Sequence, residues 1–248
     1  MFNFDRIGDI FDQFGELIFA GLISTIILSL FGTFVGLVLG VFIAYGKNWR
    51  ARPNTNKFVA FWIGVVRVLC TAYSVVLRGT PMMVQALIFK YGCVALGLNW
   101  ENVRFIGKIN NVLNGWFIAG LIVITLNTAA YMSEIIQSGL NGVDKGQIEG
   151  ARSLGMKSGE TSFFVILPQA IRNALPTIGN EFITLIKETS VGAYIGIVEL
   201  TKASDIIASR TYDYFFPLII IALIYLFLTY MLSKLISFME KRSNHARN

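Results

Sequence analysis

The chain has 248 residues, of which 54% are hydrophobic and 15% charged, whereas a soluble domain carries about a quarter charged residues. That deficit, with 20 Phe, excludes a water-soluble globular domain and places most of the chain against lipid or other apolar helices. The net charge of +6 would suit nucleic acid, but its carriers sit in short segments beside apolar runs, the pattern of cytoplasmic loops in membrane proteins, so nucleic acid is set aside.

The first stretch, MFNFDRIGDIFDQFGE, is acidic and mildly amphipathic. It lacks a basic n-region and a small-residue cleavage site, so no removable signal peptide is expected, and residues 1–16 are read as an extracytoplasmic segment. Leu17 to Gly46 holds no charge. It exceeds the roughly 20 residues that cross a bilayer, which predicts a tilted or extended first span. Gly32, Gly36 and Gly40 recur every four residues and Ala44 continues the series, a stripe that lets another helix approach closely. Lys47 to Lys57 (KNWRARPNTNK) is basic without an acid and is expected in the cytoplasm, which leaves the N-terminus outside.

Residues 58–98 read either as one span kinked at Pro81 or as two spans. Parity favours one, because it puts both basic segments of the chain on the same side. Asn99–Asn114 is an outer loop, and Gly115 to Ser138 the third span. Ala174–Leu200 and Phe215–Phe238 are the fourth and fifth. The expectation is an all-α membrane protein of about five spans, N-terminus outside and C-terminus cytoplasmic. Its permease domain covers 17–240, with a helical loop at about 139–172 and a basic tail at 241–248.

Several polar side chains fall inside these spans. Asn127, Tyr131, Glu134 and Ser138 share one helix face. Asn180, Glu181, Thr184, Lys187 and Glu188 form a similar stripe. Thr80 and Gln85 flank Pro81, and Gln85 is positioned to reach carbonyls that the proline leaves unpaired. Charge at bilayer depth costs about 2.5–3.5 kcal/mol per residue on insertion scales, so these groups either tie helices together or line a solute path. No catalytic set and no phosphate loop can be assembled; GQIEGARSLG lacks the Gly-Lys-Ser/Thr of a nucleotide-binding loop. The two cysteines, Cys70 and Cys93, lie in apolar runs, and with His245 as the single histidine no metal-ligand spacing or disulfide framework exists.

Between the third and fourth spans, Asp144 to Pro176 is polar and punctuated by Pro168 and Pro176. Its Glu149-Gly150-Ala151, then Gly155, then Val165-Ile166-Leu167-Pro168 resembles the EAA loop of ABC importer permeases. The family form is Glu-Ala-Ala, three residues, Gly, nine residues, Ile, any residue, Leu-Pro. Two positions depart from it: Val165 preserves an apolar knob in place of Ile, while Gly150 lowers helix propensity by up to about 1 kcal/mol. Arg78-Gly79-Thr80-Pro81 with Gln85, LNTAAYMSE from Leu126 to Glu134, KETS from Lys187 to Ser190 and ILPQAIRNALP from Ile166 to Pro176 are similar to the polar amino acid uptake branch.

The resemblance implies the permease subunit of an ATP-driven importer for polar amino acids, in a prokaryotic cell membrane. It has no nucleotide cofactor of its own, and ATP with Mg is expected on a separate ATPase dimer. The other implied partners are a second permease (a copy or a sister chain), an extracytoplasmic solute-binding protein, the amino acid and membrane lipid. Gly146, Glu149, Gly150, Ala151, Leu154, Gly155, Met156, Leu167 and Pro168 become the ATPase-coupling candidates. Two short helices joined near Gly155–Gly159 would dock in a cleft of the ATPase, with Leu154, Met156, Phe163 and Phe164 as apolar contacts. Thr80, Gln85, Asn127, Tyr131, Glu134, Glu181, Lys187 and Glu188 become substrate-path candidates. The alternative is an ion-coupled secondary transporter or channel that uses Glu134, Glu181 and Glu188, although five spans give no inverted repeat.

Overall fold

A computed structural model describes residues 5–98, 100 and 115–245. Every regular element among the described residues is helical: α1 (Asp5–Asn48), α2 (Lys57–Gly79), α3 (Met82–Ala95), α4 (Gly115–Asn141), α5 (Lys145–Ser153), α6 (Ser158–Glu160), a π-helical turn (Thr161–Ile166), α7 (Leu167–Glu188), α8 (Gly192–Ile195), α9 (Leu200–Thr211) and α10 (Phe215–His245). Among them α1, α2, α4 and α10 are long and apolar enough to cross a membrane. The outer loop expected at Asn99–Asn114 lies outside the described residues except for Trp100, whose ring stands 6.1 Å from Phe89.

The helices differ from expectation at two places. Residues 58–98 form neither one kinked helix nor two full spans: α2 stops at Gly79, and Pro81 is the N-cap residue of the 14-residue α3. Proline has no amide to donate and pushes the residue before it towards extended backbone, so the helix ends there. At about 21 Å, α3 is shorter than the hydrocarbon core. The proposed fourth span, Ala174–Leu200, is not one helix either. α7 ends at Glu188 and gives way to a 3-10 turn, Thr189–Val191, and to the single turn of α8. Gly196 closes α8 at φ +100°, a conformation that glycine enters without steric cost.

The chain divides into two compact units, one of residues 1–33, 80–126 and 182–233, the other of 34–79, 127–181 and 234–248. In the first, Leu28, Phe117, Ile124, Leu185, Ile195 and Ile197 form an apolar cluster with Met82 and Ala86 of α3. A second cluster joins the start of α1, through Ile10 and Ile18, to Leu200 and Ile207 of α9 and Phe216 and Ile220 of α10. Glu199 is fully buried at its edge. Its carboxylate accepts from the amides of Thr201 (2.9 Å) and Lys202 (2.7 Å) and from the Tyr225 hydroxyl (2.8 Å). It thus caps α9 and fastens it to α10.

Within each unit, α1 and α4 approach closely. A β-carbon at Gly32 would stand 2.7 Å from Ile124 Cγ2, one at Gly36 2.9 Å from Thr128 Cγ2, and one at Gly40 2.6 Å from Met132 Cβ. The partners advance four residues at each step, so α1 and α4 run parallel, backbone against side chain, along the predicted glycine stripe. α2 runs antiparallel to both. Gly46 meets Cys70 of α2, the Ser74 and Ser133 hydroxyls share a hydrogen bond of 3.1 Å, and Asn127 donates to the Leu77 carbonyl at 3.2 Å.

Gly40→Ala is expected to destabilise the chain by about 1–3 kcal/mol through overpacking. Gly64→Ala, on α2 with nothing within 4 Å of a new β-carbon, should leave stability unchanged or slightly raised. Thermal unfolding of the detergent-solubilised variants distinguishes the two. Glu199→Ala should cost about 2–4 kcal/mol in the same measurement, since it removes a cap and strands buried donors.

Candidate functional site

Three features carry the polar chemistry, and each lies within one unit. In the second unit, Glu134 of α4 accepts from Lys47 at the end of α1 and from Arg78 at the end of α2, the latter at 3.0 Å. Arg78 also lies over the Tyr131 ring, 5.7 Å from its centroid. The Lys47 side chain is 10% exposed, Glu134 34% and Arg78 41%. Two cations therefore share one carboxylate where α1, α2 and α4 meet. The sequence pattern singled out Asn127, Tyr131 and Glu134 but missed Lys47 and Arg78. Only the antiparallel register of α2 brings the latter to Glu134, and no spacing within the chain reports that register. Glu134 is thereby a tying residue first, and Asn127 has committed an amide hydrogen to Leu77.

In the first unit, the two helix breaks meet. Met82 and Ala86 at the start of α3 line a small apolar hollow with Val191, Gly192 and Ile195 from the α7–α9 connection, closed by Gly120, Val123 and Ile124 of α4. Gln85 bridges the break before α3, donating to the Thr80 carbonyl at 2.9 Å and to its hydroxyl at 2.8 Å. Lys90 donates to the Tyr194 carbonyl at 3.2 Å and lies over Trp116. Lys187 is exposed and Glu188 half-buried. They occupy the last turn of α7 rather than the middle of a span. No ion pair joins them to other described residues. Glu181, nearly two α7 turns earlier and in the second unit, is half-buried.

The third feature is the polar segment after α4. Asp144 caps α5 by accepting from the Gly146 amide at 2.6 Å. α5 holds Glu149, exposed, and Ala151, buried, and it packs against the π-helical turn. Gly155 then reverses the chain at φ +86°, the physical reason a glycine stands at that position of the motif. Ser158 restarts the helix, with the Glu160 carboxylate accepting from the Lys157 amide at 2.7 Å. A second short helix was expected here. Instead the helix continues through the π-helical turn into α7. Pro168 has no amide for the carbonyl four residues back, and a widened turn absorbs the loss.

Leu154 is 87% exposed, and Phe163 and Phe164 stand outward with their rings 5.1 Å apart. Leu167 and Pro168 are exposed, Met156 partly so. Gly150 is exposed and a β-carbon there would touch nothing, so alanine, the family residue, fits this helix. The segment is bound tightly to α4 through the start of α7. A β-carbon at Gly139 of α4 would stand 2.7 Å from the Ala170 carbonyl oxygen, and Asn173 donates to the Gly139 carbonyl at 3.4 Å.

Apolar helices with breaks, a charge cluster and an ordered polar segment braced on α4 and α7 are the features of a membrane transport subunit. Residues 36–245 match the family described as binding-protein-dependent transport system inner membrane component. The chain is 34% identical to the putative glutamine transport system permease protein of Rickettsia prowazekii, over 91% of this chain and 92% of that one. It is 35% identical to the arginine transport system permease protein of Bacillus subtilis, over 90% and 89%.

Among solved structures, the crystal structure of an amino acid ABC transporter with histidines matches with a TM-score of 0.81 and 37% identity, covering 98% of this chain and 99% of that one. An inward-facing MetNI methionine ABC transporter shares the fold, with a TM-score of 0.68 at 16% identity over 91% and 95%. The chain belongs to the binding-protein-dependent transport system inner membrane component family. It is a multi-pass permease subunit of an ABC importer, and a transport subunit rather than an enzyme. Membership in a binding-protein-dependent family replaces the ion-coupled alternative.

Glu134→Gln leaves Lys47 and Arg78 without their shared anion. The variant should lose about 1–2 kcal/mol, discounted for the exposure of the cluster, as a lowered melting temperature. Adding Lys47→Met to it should restore part of the loss.

Proposed function

We propose that this permease carries polar amino acids and is driven through its α5–α7 segment by a separate ATPase dimer, which holds the ATP and Mg. The observation that carries the coupling assignment is the construction of that segment. Gly155 and Pro168 shape it, Ala151 and Thr161 bury its inner face, and Glu149, Leu154, Phe163 and Phe164 point away from the chain. The outward groups combine one carboxylate with a cluster of apolar knobs, a composition suited to a cleft in a soluble protein. Displacement of such a segment moves α4 and α7 directly, because Gly139 leaves no slack between them.

The side facing the ATPase is the one that carries Lys47–Lys57, by the excess of Lys and Arg there. The system also includes a second permease, as a copy or a sister chain, and an extracytoplasmic solute-binding protein that delivers the amino acid. The substrate class is supported by relatives whose names specify glutamine and arginine. Of the substrate-path candidates, Lys187 and Glu188 are the most available, since they end α7 where regular hydrogen bonding stops. Tyr131 faces the Arg78 guanidinium, and Thr80 and Gln85 brace the break before α3.

Glu149→Arg should insert normally and abolish ATP-driven uptake in proteoliposomes containing ATPase and binding protein; full uptake would overturn the coupling assignment. Lys187→Ala should change the apparent affinity or selectivity for amino acids by about tenfold, the scale of one charge-assisted hydrogen bond. Identical transport of every amino acid tested would return Lys187 to a purely structural role.

A further inference from the structure

The register of α2 fixes where its charges lie along the bundle. Gly46 opposes Cys70 and Ser133 opposes Ser74, so Arg67 stands level with the ends of α1 and α4. The helix before it, from Lys57, runs about 15 Å past those ends. That overhang is not polar. Phe58, Val59, Phe61 and Trp62 are all exposed on it, and a β-carbon at Gly64 would meet nothing.

The α1–α2 connection beside it carries Arg50 and Arg52, both exposed, as are Lys57 and Arg67. No acidic side chain pairs with any of these four among the described residues. Aromatic rings are interleaved with the charges: Tyr45 and Trp49 lie 5.8 Å apart at the end of α1, and Phe58 and Trp62 form an edge-on pair at 6.2 Å. Exposure along α2 takes in Phe58, Val59, Phe61, Val68, Val75 and Val76, more than half of the helix circumference at 100° per residue. A protein partner seats on one stripe of a helix, whereas lipid surrounds it.

We infer that the α1–α2 corner is a binding surface for anionic phospholipid. Arg50, Arg52 and Lys57 hold the phosphate headgroups, while Trp49 and Trp62 rest at the boundary between headgroups and acyl chains. Guanidinium and ammonium groups without carboxylate partners supply the charge complementarity. Amphipathic rings supply the depth, because indoles favour the interfacial layer. Uncompensated cations at the outer end of the α2 overhang hold its apolar surface among the acyl chains rather than in water. The surface selects by headgroup charge, and a zwitterionic lipid in its place leaves the three cations unanswered.

Trp49 and Trp62 make the test direct. The full-length chain with Trp100→Phe and Trp116→Phe retains those two indoles of its four as reporters. It is placed in nanodiscs of phosphatidylcholine that contain a minor fraction of either brominated phosphatidylglycerol or brominated phosphatidylcholine. The expected result is stronger fluorescence quenching by the anionic brominated lipid. That preference should fall about fivefold for each of Arg50, Arg52 and Lys57 changed to Gln, and it should persist when Arg50 and Arg52 are changed to Lys. In the unmodified chain the preference should also weaken as salt is raised. This gives a readout even if the Gln variants misfold. Equal quenching by the two lipids overturns the inference, and so does a preference insensitive to the Gln changes or to salt. Abolition of the preference by millimolar inorganic phosphate also overturns it, because the site would then take free phosphate rather than a lipid.

Discussion

The contact that everything else depends on is the backbone approach of α1 to α4. In an apolar surrounding there is no hydrophobic drive to bring two helices together, so van der Waals contact and hydrogen bonds must do it. Gly32, Gly36 and Gly40 remove the side chains that would hold the helices apart, and Ile124, Thr128 and Met132 fill the space. With α1 and α4 fixed in parallel register, the remaining placements follow. α2 lies antiparallel across both, Lys47 reaches Glu134, and α4 presents Gly139 to α7 at a separation that no larger residue tolerates.

The overall class was legible because membrane physics leaves a strong imprint on composition. Uninterrupted apolar runs marked α1, α4 and α10, and the four-residue glycine period marked the face of α1 that packs. The breaks were harder to read. Pro81 announced an interruption, but a proline in an apolar run signals either a kink or an end, and the choice rests on whether neighbouring groups satisfy the freed carbonyl. Gln85 does so here. The end of α7 at Glu188 carried no proline at all. Thr189, Val191, Gly192 and Gly196 together turn the chain, each weakly, and a pattern of weak preferences is invisible beside a strong hydropathy signal.

The site divided in the same way. The coupling segment stood out from its spacing, and the meaning of Gly155 became plain only from its left-handed backbone. Glu134 was visible as a carboxylate on a polar helix face, yet its two basic partners lie 87 and 56 residues away in the chain (47 to 134 and 78 to 134). Contacts over such separations are set by helix register, and register is decided by side-chain volume rather than by any repeat. Arg67 shows the reverse case. In the sequence it interrupted an apolar run, and in the fold it stands level with the ends of two neighbouring helices, where a charge is at home.

The end of α2 halfway along α4 has an electrical consequence. A helix terminus carries about half a negative charge on its last carbonyls, and α2 delivers that partial charge to its exposed end beside Asn127, whose amide answers the Leu77 carbonyl. Lys47 and Arg78 together then face one whole and one partial negative charge instead of the carboxylate alone. The two positive side chains at this junction thus answer a backbone dipole as well as a carboxylate.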